Sequence, residues 1–292
     1  MGAPLCICNG LIRSGSTWSF NVCRELYQLL PRQNDEPVKS GYLEAVQLEH
    51  FVNQKWPTMT APTVIKVHDI GPAAMGALRA GTARGICTFR DPRDCVVSDM
   101  AFMSYPFEAC LKRIGGTLEP LRLYQSTPNI LLIKYEQMMA DRPREIRRIA
   151  GHLAIPVGDA AVQQIDARTN MHTSQRLCQS LKERPANAVM RVANHVVDPV
   201  THLHSNHING GAIGKWKFQL SVDQVLYMTE YFAPWLIKLG YETDASLNAL
   251  LKNACLHANP GEPILSASPT AVAGSFAFAG MAQSSAQVQR SV

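Results

Sequence analysis

Residues Gly10 to Trp18 read GLIRSGSTW and carry the spacing of a phosphate-binding turn. In the P-loop pattern G-x-x-x-x-G-K-[ST], backbone amides and a helix N-terminus wrap the phosphate oxygens. Gly10, Gly15 and Thr17 fall in register, but Ser16 occupies the lysine position, and a cation, Arg13, stands three places earlier. Ser14, Ser16 and Thr17 add hydroxyl donors. The set favours a phosphate or sulfate ligand. It disfavours ATP hydrolysis, because the lysine that reaches the β- and γ-phosphates is missing. A strand-end aspartate for a metal is also doubtful: Asp69 is the nearby candidate, and Lys66 and His68 interrupt its strand.

Further down the chain are other residues able to act on an anion. Arg90 opens RDPRDCVVS, at the end of an apolar run and beside a helix start; Ser98 lies about two turns into that helix. Charge and helix dipole there both favour an anion, although Arg90 can instead pair with Asp91 or Asp94 as ordinary capping. His68 ends the run TVIKVH, with Lys66 two residues back on the same strand face. A histidine near its ordinary pKa can take a proton from a hydroxyl, or it can be a satisfied strand-end residue.

These residues need elements that bring them together. PLCICNGLI (4–12), TVIKVH (63–68), RGICTFR (84–90) and NILLIKY (129–135) read as short buried strands. A helix follows the glycine turn, with Val22, Leu26, Leu29 and Leu30 at helical spacing and Pro31 at its end. Asp91-Pro92 and Asp141-Arg-Pro mark two more helix starts. Arg144, Arg147 and Arg148 form a solvated face of the helix after Asp141. Ser221-Val-Asp-Gln224 is a capping box for a helix that Pro234 should kink or break. Residues 155–208 read only as helices and loops. Strands alternating with helices imply a three-layer α/β sandwich with a central, mainly parallel sheet, as in P-loop NTPases.

The motif set resembles the sulfotransferases that use 3′-phosphoadenosine 5′-phosphosulfate (PAPS). RSGSTW is similar to their 5′-phosphosulfate loop, [KR]-S-G-[ST]-T-W or -L. FRDPRDCVVS is similar to their 3′-phosphate motif, R-[ND]-P-[KR]-D-x-x-x-S, with Arg90 and Ser98 at its two phosphate contacts. IKVH is similar to the K-T-H segment, whose histidine is the general base. IKYEQ looks like the Y-E-D-L segment, with Tyr135 at the position near adenine. GGAIGKWK (210–217) resembles R-K-G-x-x-G-D-W-K, which closes over the 3′-phosphate; Gly211, Gly214, Trp216 and Lys217 match. The departures lie there too: Asn209 and Gly210 stand where arginine and lysine would be, and Lys215 replaces aspartate. His207 and Lys215 are the candidates to replace the lost basic pair.

The resemblance implies a PAPS-dependent sulfuryl transfer to a hydroxyl or amine, with adenosine 3′,5′-bisphosphate (PAP) as product and no metal. Its catalytic residues would be His68 and Arg13, with Lys66 either stabilising the sulfuryl group or merely a surface residue. Arg13, Ser14, Gly15, Ser16, Thr17, Trp18, Arg90, Ser98, Tyr135, Gly211 and Lys215 would bind the donor. Trp18 either stacks on adenine or packs under its helix, and Tyr135 either lies beside adenine or is a core residue. A non-catalytic nucleotide-binding protein on the same fold and a P-loop kinase with an atypical loop remain as alternatives.

Bulk properties bound the rest. The chain has 292 residues, 46% of them hydrophobic, and a formal charge of +5, too mild to imply a nucleic-acid partner. One catalytic domain is expected over 1–257. Residues 258–292, rich in Ala, Ser, Gly and Pro, read as a disordered tail. Eight cysteines include no C-x-x-C pair. Cys6 and Cys8 lack zinc-ligand spacing, and the thiols read as reduced and buried in a cytoplasmic protein. No secretory signal or apolar stretch of membrane-spanning length is evident. The acceptor is expected to be a small molecule, and a homodimer is left open.

Overall fold

The computed structural model describes residues 3–31, 36–192, 195–206, 208 and 210–257, with side chains to 252. Residues 258–292, His207 and Asn209 lie outside the described residues, so the expectations placed on them do too.

Five parallel strands form the central sheet: β1 (Leu5–Gly10), β2 (Lys39–Tyr42), β3 (Thr63–Lys66), β4 (Arg84–Phe89) and β5 (Ile130–Lys134), in the order β2-β3-β1-β4-β5. The helices, in chain order, are α1 (Ser16–Tyr27), α2 (Ala45–His50), α3 (Pro72–Arg79), α4 (Pro92–Met103), α5 (Phe107–Gly115), α6 (Leu118–Gln125), α7 (Tyr135–Ala140), α8 (Arg142–His152), α9 (Asp159–Thr169), α10 (Met171–Ser180), α11 (Trp216–Gln219), α12 (Val222–Lys238) and α13 (Asp244–His257). A small antiparallel hairpin, β6 (Met190–Val192) with β7 (His195–Val197), follows α10.

Strand alternation sorts the core into two layers of side chains. Cys6, Cys8, Val64, Ile86 and Ile133 pack with Phe20, Val22 and Leu26 of α1 and Ile146 and Ile149 of α8. On the opposite face, Leu5, Ile7 and Ile65 pack with Leu48, Phe51 and Leu78, while Cys87 joins Val96, Ile114 and Phe232. The three-layer α/β architecture expected from the sequence is therefore present.

The helix starts follow local chemistry. Asp91 accepts from the Arg93 amide with Pro92 at the first helical position, Asp141 accepts from the Arg144 amide, and Ser221 and Gln224 form a reciprocal capping box. Of the arginines read as a solvated face of α8, Arg147 pairs with Asp159 and Arg148 with Glu145.

One expectation is corrected and one element is new. Of the kink or break expected at Pro234, the break does not occur: α12 runs through it. Pro234 sits on the exposed side, so the carbonyl it deprives of a partner faces water, while Met228, Phe232 and Leu236 anchor the buried side. β2 had not been expected; its four residues pair with β3 at the sheet edge.

Candidate functional site

β1 delivers the chain to Gly10 directly beside β4. A Cβ on Gly10 would lie 2.1 Å from Thr88 Oγ1 and 2.6 Å from the Thr88 carbonyl oxygen, so glycine is required. The turn is pinned from inside by Ser14, whose hydroxyl is fully buried. It lies 2.6 Å from the Leu11 carbonyl, 3.0 Å from the Thr88 carbonyl and 2.7 Å from Thr88 Oγ1. Ser14 thus braces the loop, and its hydroxyl is turned away from the cavity. Gly15 takes φ 92° and opens α1. The Gly15 carbonyl accepts from Trp18 and Ser19, while the amides before them, at the first turn, have no intrahelical acceptor. That leaves a positive helix end facing the cavity.

Arg13, itself at φ 66°, joins this loop to the second motif. Its Nε donates to Ser98 Oγ at 3.1 Å, and its guanidinium lies 4.1 Å above the Phe102 ring. The two residues are 85 positions apart, brought together because β1 and β4 are neighbours.

Arg90 leaves the end of β4 and stacks 4.2 Å above the Tyr135 ring. Its Nη2 donates to the Ala212 carbonyl at 2.8 Å and lies 3.4 Å from Asp94. The capping alternative is therefore partly realised: Arg90 pairs with Asp94 and still lines the cavity. Asp94 also accepts from the Gly214 amide at 2.7 Å and from the Trp216 amide at 3.4 Å. Tyr135 donates its hydroxyl to the Gly211 carbonyl at 2.9 Å. These bonds fix the glycine turn 210–214 against the start of α4. Gly210, Gly211 and Gly214 all have positive φ, which explains the glycines. Beneath the turn, Arg93 holds both Asp91 and Glu242 and lies 3.9 Å above the Trp216 ring.

Between these elements is a cavity of about 180 Å³. Arg13, Gly15, Thr17, Trp18, Arg90, Ser98, Tyr135, Gly211 and Lys215 all line it. Ser14 and Ser16 do not, nor do Lys66 and His68. The Trp18 indole N–H is buried there without a partner. Further lining comes from residues the sequence did not single out: Asn21, Arg24, Met138, Arg142, Arg168, Met171 and Ser174 among them. Those from α9 and α10 belong to the stretch without motif or strong periodicity.

Lys66 and His68 lie beyond Arg13, at the end of β3. Lys66 is buried, its ammonium 5.5 Å from the Tyr42 ring centre. Burial, then the neighbouring Arg13 charge, pushes its pKa down to about 8, so it remains mostly cationic at pH 7. His68 stands edge-on to Tyr42 at 5.6 Å and keeps an exposed surface. Crowding by protein, then Lys66 and Arg113, lowers its pKa below the ordinary histidine value. Its resting form is the neutral imidazole, the form that accepts a proton. Around it stand His202, His204 and Phe102: His202 lies 6.3 Å from Tyr42, and His204 5.5 Å from Phe102. No local sequence signal marks His202 and His204, because the 198–205 turn reaches the sheet only through long-range packing.

The arrangement gives two adjoining compartments. One is a cavity with a helix N-terminus and five arginines, Arg13, Arg24, Arg90, Arg142 and Arg168, suited to an anion-bearing ligand. The other is an open, imidazole-rich mouth. Arg13 lines the cavity on the side toward Lys66, at the carboxyl ends of the strands, where open α/β sheets place ligands.

Comparison with known proteins bears on the fold and the family. No curated protein sequence matches the chain. Among solved structures, mouse sulfotransferase SULT7A1 complexed with PAP superposes with a TM-score of 0.58 at 17% identity, covering 85% of this chain and 88% of the other. Retinol dehydratase in complex with retinol and PAP gives 0.57 at 14% identity, with 81% and 82% covered. At these identities the likeness concerns the fold. The family model described as the sulfotransferase domain matches residues 7–240, and the chain belongs to that family.

Proposed function

We propose that this protein transfers the sulfuryl group of PAPS to a hydroxyl or amine of a small-molecule acceptor. The observation that carries this reading is the Arg13–Ser98 hydrogen bond, which joins the 5′-type anion loop to the Arg90 corner in one cavity. A nucleotide with phosphates at both ends of its ribose needs two such corners, whereas ATP needs one long one. The donor's phosphosulfate sits at Arg13, Gly15 and Thr17, with Ser16 contributing its amide. The 3′-phosphate sits at Arg90 and Ser98, and Trp18 and Tyr135 border the adenosine. PAP in the mouse sulfotransferase and in retinol dehydratase supports that donor. Retinol and androsterone bound to retinol dehydratase support a small acceptor.

In this reading the acceptor enters by the open mouth, and neutral His68 takes its proton. The acceptor oxygen or nitrogen forms a bond to sulfur as the bond from sulfur to the phosphate oxygen breaks. PAP leaves with that electron pair. Arg13 and Lys66 stabilise the charge on the sulfuryl oxygens and the leaving phosphate. Lys215 faces the cavity and supplies a cation in the segment where the family's basic pair is missing.

Thermal unfolding without Mg²⁺ tests the donor class. A ligand at 100 times its Kd adds about 2.7 kcal/mol, or about 5–10 °C for a chain of this size. PAP should give such a shift at concentrations where adenosine 5′-phosphate gives little. A shift only with ATP and Mg²⁺ would favour the kinase alternative. Stabilisation by PAP without turnover on any acceptor would favour the non-catalytic one.

A further inference from the structure

Under the loop, three thiols converge. Cys6 and Cys8 project from the same face of β1, with their sulfurs 3.7 Å apart. Cys23 comes down from α1, and the three Sγ atoms all lie within 4.8 Å of one another. Each is fully buried, among Phe20, Leu26 and Val64. Among the described residues this is the one group of three candidate metal ligands so disposed. Packing alone does not call for it, since valine or alanine would fill such positions without three polarizable, ionisable sulfurs meeting at one point.

The geometry points to a trigonal thiolate site for a soft monovalent d¹⁰ cation, Cu(I) being the type. With metal–sulfur bonds of about 2.3 Å, a planar three-coordinate site has sulfurs about 4.0 Å apart. The observed triangle needs only small side-chain adjustment to reach that. Structural zinc takes four ligands in a tetrahedron, and among the described residues no fourth histidine, cysteine or carboxylate joins this group. Thiolate ligands select soft cations such as Cu(I), which accepts three of them.

One cation stands beside the site. Each ligating thiol gives up a proton when its sulfur binds the metal. Lys66, the register partner of Cys8 on β3, is that cation and acts electrostatically on Cys8. Occupancy would clamp β1 to α1, the two elements that present the anion loop. The site stands independently of the donor reading, because its ligands line no part of the cavity.

Anaerobic competition for Cu(I) with bicinchoninate tests it, on the native full chain and on chain refolded with Cu(I) present, because buried thiols load slowly. The expected result is one Cu(I) per chain, with a thiolate-to-metal absorption band in the near ultraviolet. Cys23→Ala should lose the band and weaken Cu(I) binding at least 100-fold, while Cys95→Ala, whose thiol lies in the other core layer, should bind normally. A second readout needs no variant. Bound Cu(I) should protect Cys6, Cys8 and Cys23, and no other cysteine, from alkylation in mild denaturant, mapped by mass spectrometry. The proposal is overturned if neither preparation holds Cu(I) against the competitor, or if protection falls on other cysteines. Unchanged binding by a folded Cys23→Ala would overturn it equally.

Discussion

Replacing Asp94 by asparagine separates the structural and ligand-binding duties of the Arg90 corner. Asp94 is buried and serves three groups: the amides of Gly214 and Trp216, and the Arg90 guanidinium. Asparagine can keep its oxygen at the Oδ2 position, on Gly214 and toward Arg90, but its N–H donors then meet the Trp216 N–H, and the negative charge opposite Arg90 is lost. A hydrogen bond to a charged acceptor is worth about 1.5–3 kcal/mol against about 1 for a neutral one. Breaking a buried ion pair costs about 3–5 kcal/mol. Arg90 retains the Ala212 carbonyl and the Tyr135 face, so the lower end applies, and about 3 kcal/mol should be lost in the free protein. At about 2–4 °C per kcal/mol for a domain of this size, Tm falls by about 6–12 °C. Under the proposed donor reading, a 3′-phosphate beside Arg90 replaces the missing negative charge. Urea unfolding at saturating PAP should therefore show the deficit shrinking to about 1–2 kcal/mol, the part owed to the two amides, while adenosine 5′-phosphate leaves it near 3. An equal deficit with both nucleotides would refute the assignment of Arg90 to the 3′-phosphate. A variant as stable as the wild type would refute the account of Asp94 itself.

Three further outcomes follow from the site. His68→Ala should lose transfer by at least 10²-fold, the low end for general base catalysis, while calorimetry shows PAP affinity within about twofold of wild type; normal turnover would remove His68 from the mechanism. Arg90→Ala should weaken PAP binding by about 10–100-fold, as expected for lost charge-assisted bonds, and leave adenosine 5′-phosphate nearly unaffected; equal losses would contradict the two-corner cavity. Stability should also fall on acidification. Burial, then Lys66, pulls His202 down to about 4 and His204 to about 3. The unfolded chain then binds more protons than the native one, so this stability is present above the ordinary histidine pKa near 6.5 and is lost as pH drops below it. Urea midpoints from pH 7.5 to 5 would show the slope, and His204→Gln should flatten it; an unchanged slope would mean that His204 is not held neutral by its surroundings.

What the sequence disclosed was what is decided locally. The glycine turn, the caps at Asp91, Asp141 and Ser221, and the same-face placement of Cys6 and Cys8 follow from a few adjacent residues, and each stands in the fold as read. Features that failed to show are decided across the chain. β2 is four residues, KSGY, with no period to detect, and β3 alone makes it a strand. Ser14 carries the donor a phosphate loop would use, yet Thr88 from β4 draws its hydroxyl inward. His202 and His204 reach the mouth from a turn without motif. Asp94 is the sharpest case. In the sequence it reads as a third-position helix acid, a local capping device. In the fold its carboxylate accepts from Gly214, 120 positions away, and so holds the glycine turn against Arg90. The family pattern marks that position as aspartate, but only the long-range bond shows why a charged acceptor is needed there: two backbone amides and a guanidinium converge on one buried point, and a neutral side chain cannot satisfy all three.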